Sequence, residues 1–131
     1  KNNNMVEEIR DLTNGGVDYA IDLAGVIQAM DTAYQIIRYG GSVVTAGLSP
    51  INTQFSFNHS DLVAQEKSIL GSYMGSCVPV RDVPRFLNLY KQGRLPVDKL
   101  IDGKITFDNL NEGFDKLSKG KVVRQILMPN A

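Results

Sequence analysis

Val17-Asp18-Tyr19-Ala20-Ile21-Asp22-Leu23-Ala24-Gly25 and, one helix length later, Gly40-Gly41-Ser42-Val43-Val44-Thr45-Ala46-Gly47 are the stretch that decides the fold. Each reads as a short strand that ends at a glycine. Between them, Ile27 to Tyr39 carries Ile27, Met30, Ala33, Ile36 and Ile37 as the apolar stripe of a helix. Strand, helix and strand in this order make a βαβ unit with parallel strands. Ligands of open parallel sheets sit at the carboxyl ends of the strands. Those ends here are Leu23-Ala24-Gly25 and Ala46-Gly47-Leu48.

Upstream, Met5 to Leu12 has apolar residues at helical spacing, acids near its start and Gly15-Gly16 after it as a left-handed cap. Lys1-Asn2-Asn3-Asn4 is polar and reads as a frayed end or a helix entry. Downstream, Leu48 to Asn58 reads as a loop, and Ser60 or Asp61 caps a short helix through Gln65. Lys67 to Gly75 reads as a third strand that ends in glycine. Asp82 caps the next helix, with Pro84 in its first turn and Val83, Leu87 and Tyr90 on one side; Gly93 and Pro96 stop it. Lys104 to Phe107 is extended, Asp108 caps a helix bearing Leu110, Phe114 and Leu117, and Val122 to Met128 closes as a strand. Three parallel-type strands alternating with helices indicate an α/β fold. A doubly wound sheet normally starts with a strand, and this chain starts with a helix and with Lys1. Upstream material is therefore expected.

The chain has 131 residues, 14 Lys plus Arg against 14 Asp plus Glu, and one cysteine, Cys77. That length suffices for one domain with a core. Balanced charge favours neither a nucleic acid nor an anionic membrane as partner. No apolar run approaches the roughly 20 residues of a membrane span, and no signal-peptide pattern opens the chain. A single cysteine fits a reducing, cytoplasmic compartment.

Gly25, Gly47 and Gly75 all fall on one sheet edge, which favours close approach of a ligand over turn-making alone. No Gly-x-Gly-x-x-Gly or Gly-x-x-x-x-Gly-Lys-Ser/Thr phosphate loop accompanies them, and Gly15-Gly16 and Gly40-Gly41 precede strands. His59 and Cys77 are the only imidazole and thiol, too few for a zinc site. Asp22, at a strand end, suits either a ribose hydroxyl or nearby loop backbone, and the second reading is preferred. Tyr73 is a donor or a packing residue. Arg124, inside the last strand, suits either a phosphate or solvent.

Gly16-Val17-Asp18-Tyr19-Ala20-Ile21-Asp22 resembles the Gly-x-Asp strand of the medium-chain, zinc-type alcohol dehydrogenases. Gly40 to Leu48 resembles that family's next strand, and Ile69-Leu70-Gly71-Ser72-Tyr73-Met74-Gly75-Ser76 its strand ending in Gly-Ser. Phe114 to Leu117 and Gly120 to Arg124 are similar to its closing helix and strand. The resemblance covers nearly the whole chain. It implies a partial Rossmann-like doubly wound parallel sheet, lacking its first half, with a C-terminal helix–strand segment. Residues 1–78 would be the second half of the dinucleotide-binding domain. Residues 79–131 would pack on an absent catalytic domain.

The same resemblance implies a parent enzyme that moves hydride between an alcohol or aldehyde and NAD or NADP. The backbone at Ala46, Gly47, Leu48 and Met74 would meet the nicotinamide end. Leu23, Ala24 and Gly25 would lie near the ribose, and Arg124 would reach the pyrophosphate. The family's zinc ligands, phosphate turn and ribose-selecting acid have no counterpart here. Zinc is thus expected in the parent with no ligand from this chain, and the chain alone is expected to be inactive. The strand from Ser68 to Met74 resembles the edge that this family pairs across a dimer, so a homo-oligomer is expected. Two rivals stand beside this reading: a zinc-free quinone or enoyl reductase of the same superfamily, and a non-catalytic nucleotide-binding or assembly module.

Overall fold

Alternating apolar residues, β-branched centres and glycine exits give three parallel strands: β1 (Val17–Asp22), β2 (Ile37–Thr45) and β3 (Ser68–Gly71). They pair in the order β1-β2-β3. Ile21 lies opposite Val44 and Val44 opposite Leu70, while Asp22 lies opposite Thr45 and Thr45 opposite Gly71. The computed structural model describes residues 3–130, with side chains from Met5 onward. Lys1 and Asn2, read above as a frayed end or helix entry, lie outside the described residues. Contacts divide the chain into two units, one ending at Cys77 and the other beginning at Val78.

In the first unit, α1 (Asn3–Leu12) and α2 (Ile27–Ile36) accompany the sheet, and α3 (His59–Ala64) precedes β3. Met30, Ala33 and Tyr34 of α2 pack with Ala20, Ile37 and Val43 of the strands to form the core. Ile37 and Val43 are fully buried, each worth roughly 1.5–3 kcal/mol of burial. Tyr34 meets Phe55 edge-on at 6.1 Å, and Phe57 at 6.0 Å, so the 46–58 loop is tied to the helix. The opposite sheet face is uncovered among the described residues: Ile21 is 68% exposed and Leu70 51%.

Several boundaries differ from those read in the sequence. The first helix begins at Asn3, which moves Glu7 and Glu8 out of its first turn. The left-handed residue after it is Asn14 (φ 52°), with Gly15 and Gly16 at more extended positive angles. Asparagine tolerates that region better than most residues. The second helix stops at Ile36, not Tyr39. There the Arg10 guanidinium donates to the carbonyls of Gln35 (3.0 Å) and Ile37 (3.2 Å). Ile37 turns to extended geometry and pairs with Val17. The cap of α3 is Asn58, whose Oδ1 accepts the Ser60 N–H at 2.9 Å, and not Ser60 or Asp61.

The second unit holds α4 (Pro79–Lys91), β4 (Ile101–Ile105), α5 (Leu110–Ser118) and β5 (Arg124–Leu127), with β4 and β5 paired in parallel. Helix α4 starts three residues before Asp82, because Pro79 supplies a preset φ at its first position. Asp82 still serves the helix start: its carboxylate reaches back to accept the Val78 N–H at 2.8 Å. Pro84 lies in the helix interior instead of the first turn. A single turn of 3-10 helix (Phe107–Asn109) leads into α5, so Asp108 is not its cap. The closing strand is shorter than the expected Val122 to Met128. Val83, Leu87, Tyr90, Phe114 and Leu117 all stay substantially exposed within this unit.

Candidate functional site

The carboxyl ends of β1 and β2 are stitched together. Beyond Asp22 the chain runs through Leu23, Ala24 and Gly25, and beyond Thr45 through Ala46, Gly47 and Leu48. The Asp22 carbonyl accepts the N–H of Ala46 (2.8 Å) and of Gly47 (3.2 Å). Ser49 Oγ donates to the Gly25 carbonyl at 2.8 Å. Gly25 is buried with φ 66°, and a Cβ there would stand 2.6 Å from the Leu48 carbonyl oxygen. A Cβ on Gly47 would run into the Gly25 backbone nitrogen. Both glycines are needed, the first for its left-handed φ and both for the close approach of two backbones.

Asp22 itself is buried, with 5% of its surface exposed. Its Oδ1 accepts the Ala24 N–H at 2.9 Å and its Oδ2 the Thr45 hydroxyl at 2.9 Å. The carboxylate is thus occupied by loop backbone and a neighbouring strand, as preferred from the sequence. Asp18, two residues earlier on the same strand, is exposed and instead pairs with Arg38, whose Nε donates to it at 2.7 Å.

One strand over, the Ser72 N–H donates to the Thr45 carbonyl at 2.9 Å and carries the ladder one residue past β3. Thr45, Ala46, Gly47, Leu48, Gly71, Ser72 and Tyr73 line an open groove of about 390 Å³ along the strand ends. The third strand is shorter than its sequence suggests. After Gly71 the chain enters a turn, Tyr73–Ser76, in which Met74 (φ 49°), Gly75 (φ 68°) and Ser76 (φ 55°) are consecutively left-handed. Such backbone costs on the order of 1 kcal/mol at each non-glycine position. Met74 is 62% exposed at this turn, and Cys77 follows it half-buried.

Six of the residues singled out in the sequence therefore come together: Leu23, Ala24 and Gly25 against Ala46, Gly47 and Leu48. Met74 lies in the turn that follows the groove's third strand. Arg124 belongs to the second unit, at the start of β5. There its backbone N–H donates to Asp102 at 3.0 Å, and its side chain borders an apolar groove with Phe114, Leu117 and Leu127. Sequence reasoning does not reach Thr45, Ser49 and Ser72. Thr45 carries one signal, a hydroxyl at the last position of a buried strand; small hydroxyl residues in loops carry none. Among the described residues no three His, Cys, Asp or Glu side chains gather to hold a metal. His59 opens α3 and Cys77 follows the left-handed turn, on separate elements. The residues present do not fit a zinc site. Glycine backbones and an open groove line the strand ends. No helix is long and apolar enough to cross a membrane.

The chain is similar to known proteins over nearly its whole length. A sequence profile described as zinc-binding dehydrogenase matches residues 1–92. Alcohol dehydrogenase 1 of Cenchrus americanus is 32% identical over 127 residues, which are 96% of this chain and 33% of that protein. The solved structure of benzyl alcohol dehydrogenase from Acinetobacter calcoaceticus superposes with a TM-score of 0.84 at 28% identity, over 96% of this chain and 34% of the other. A protein from Sinorhizobium meliloti 1021, solved bound to NADP, superposes at 0.71 with 27% identity, over 90% and 33%. The chain spans about a third of the length of the curated relatives it matches. The shared architecture is that of a partial Rossmann-like domain.

Proposed function

Since the chain belongs to the zinc-binding dehydrogenase family, we propose that it forms the nicotinamide-facing part of an NAD(P)-dependent alcohol dehydrogenase. The observation that carries this reading is the groove along Thr45–Leu48 and Gly71–Tyr73, at the carboxyl ends of parallel strands, where such sheets take their ligands. Backbone groups at Ala46, Gly47, Leu48 and Met74 would hold the nicotinamide end. Leu23, Ala24 and Gly25 would lie beside the adjoining ribose. Arg124, with its planar donor fork, would serve the pyrophosphate.

The coenzyme supplies the hydride acceptor for an alcohol, or the donor for an aldehyde. This chain's contribution is positional. Stitched loops that cannot shift independently fix where the ring lies, and orientation of reacting groups is a large share of rate enhancement. Zinc, where the whole protein uses it, would be held by residues outside this chain. Residues 1–78 would complete the dinucleotide-binding domain. Residues 79–131 would pack on the catalytic domain, a reading supported by the exposed Val83, Leu87, Phe114 and Leu117. The exposed Ile21 and Leu70 likewise support further chain on that sheet face. The exposed edge at β3 would pair between subunits, making a homo-oligomer in the cytoplasm.

The test is a coupled assay on the whole protein that carries this chain. NAD(P)H formation from primary and secondary alcohols should be saturable in coenzyme. Reduction of quinones or enoyl substrates with no alcohol turnover would replace this reading with that of a zinc-free reductase. Binding of coenzyme without turnover of either class would indicate a non-catalytic module.

A further inference from the structure

Asp22 bonds both halves of the proposed coenzyme edge, Ala24 and Thr45 through its carboxylate and Ala46 and Gly47 through its backbone carbonyl. It closes β1, is 5% exposed, and forms no ion pair among the described residues. A buried carboxylate with no cation beside it is costly unless its oxygens are fully used. Here they are. One oxygen takes the Ala24 N–H and the other the Thr45 hydroxyl, each at 2.9 Å, while the same residue's carbonyl takes the Ala46 and Gly47 N–H groups.

We propose that Asp22 is a positioning residue that locks the 23–25 turn to the 46–48 turn, so that both meet the coenzyme as one rigid edge. This rests on the reading that the edge receives a nicotinamide coenzyme. The chemistry favours aspartate over its near-isosteres. An ionised carboxylate is acceptor-only on both oxygens, whereas asparagine offers one acceptor oxygen and turns an N–H₂ toward a donor. An apolar residue would leave the Ala24 N–H without its partner. Thr45 completes the device from the other side: its hydroxyl is the only side-chain donor to Asp22 among the described residues. Neither side chain needs to touch the coenzyme for the effect.

The experiment uses the whole protein and three readings of Asp22→Asn and Thr45→Val: coenzyme Kd by fluorescence titration, the KM-against-kcat split, and amide hydrogen exchange without coenzyme. The expected result is a Kd and coenzyme KM raised about tenfold, the scale of one misplaced hydrogen bond, with a smaller change in alcohol KM. Exchange at Ala24 and Ala46 should quicken while the Val43 amide keeps its protection. Thr45→Val, nearly isosteric, keeps the test open if Asp22→Asn fails to fold. Unchanged coenzyme Kd in folded variants would overturn the proposal. So would loss of Val43 protection in step with Ala24, which marks a general structural role. Wild-type protein that binds neither NAD(H) nor NADP(H) would instead overturn the coenzyme reading beneath it.

Discussion

Gly25 and Gly47, on successive strand exits, stand so close that neither position has room for a Cβ: one on Gly47 would collide with the Gly25 backbone, and one on Gly25 would lie 2.6 Å from the Leu48 carbonyl. The proposed coenzyme edge is therefore two turns pressed into one surface. Its shape depends on the absence of side chains as much as on the groups that are present.

Gly47→Ala and Gly25→Ala should each destabilise the protein by about 2–4 kcal/mol, because backbone must move to admit the methyl group. Gly75→Ala is the control. Gly75 is also left-handed (φ 68°), but a methyl group there would meet nothing within 4 Å, so only backbone strain of about 1 kcal/mol applies. Denaturant unfolding of the three variants measures the difference. Equal losses in all three would contradict the close approach.

Ser76→Gly should act in the opposite direction. Ser76 holds φ 55° with its hydroxyl 3.1 Å from that of Ser72, an exposed contact of small value. Relief of left-handed strain should raise stability by about 0.5–1 kcal/mol, seen as a higher unfolding midpoint. A lower midpoint would mean that the hydroxyl pair outweighs the strain.

Acid should loosen the start of α4. The Arg81 side chain and then the Val78 N–H hold the Asp82 carboxyl below the ordinary aspartate range. A carboxylate whose folded pKa is depressed adds stability above its unfolded value, near pH 4, and loses it as pH falls through the folded value. The unfolding midpoint should therefore decline on acidification below about pH 4. In Asp82→Asn it should be lower at neutral pH and decline less steeply. Identical slopes in the two proteins would remove Asp82 from the account.

The 131-residue chain by itself should bind NAD weakly. It has the proposed nicotinamide edge but no glycine-rich phosphate turn. Calorimetry at protein concentrations near 100 micromolar, about a hundred times a micromolar Kd, should show no saturable heat. A micromolar Kd would mean that the strand ends and Arg124 suffice.

Much of this arrangement is legible in the residues. Alternating apolar positions in Val17–Asp22 and the β-branched Val43-Val44-Thr45 place two strands and their order, and the glycines at 25 and 47 mark the edge. Ile37 is misread from spacing because one apolar residue satisfies both a helical stripe and a buried strand. What decides between them is Arg10, which takes up carbonyls at the end of α2 from 25 and 27 residues away. Met74 and Ser76 give no hint of left-handed backbone, since their residue types disfavour it. Asp82 looks like a helix cap and does bond the helix start, but from inside the first turn, a difference of backbone path that composition does not encode. Thr45 shows the same limit at the site: its hydroxyl matters because Asp22 lies opposite it in register, and register belongs to the folded sheet.

The central claim is that Ala46, Gly47, Leu48 and Met74 meet the nicotinamide end of the coenzyme. A crystal structure of the whole protein with NADH or NADPH bound tests it most directly. The account predicts the nicotinamide ring in the groove between Thr45–Leu48 and Gly71–Tyr73, with its carboxamide bonded to backbone groups of that edge. A coenzyme bound with its nicotinamide elsewhere and solvent left over Ala46–Leu48 would contradict it.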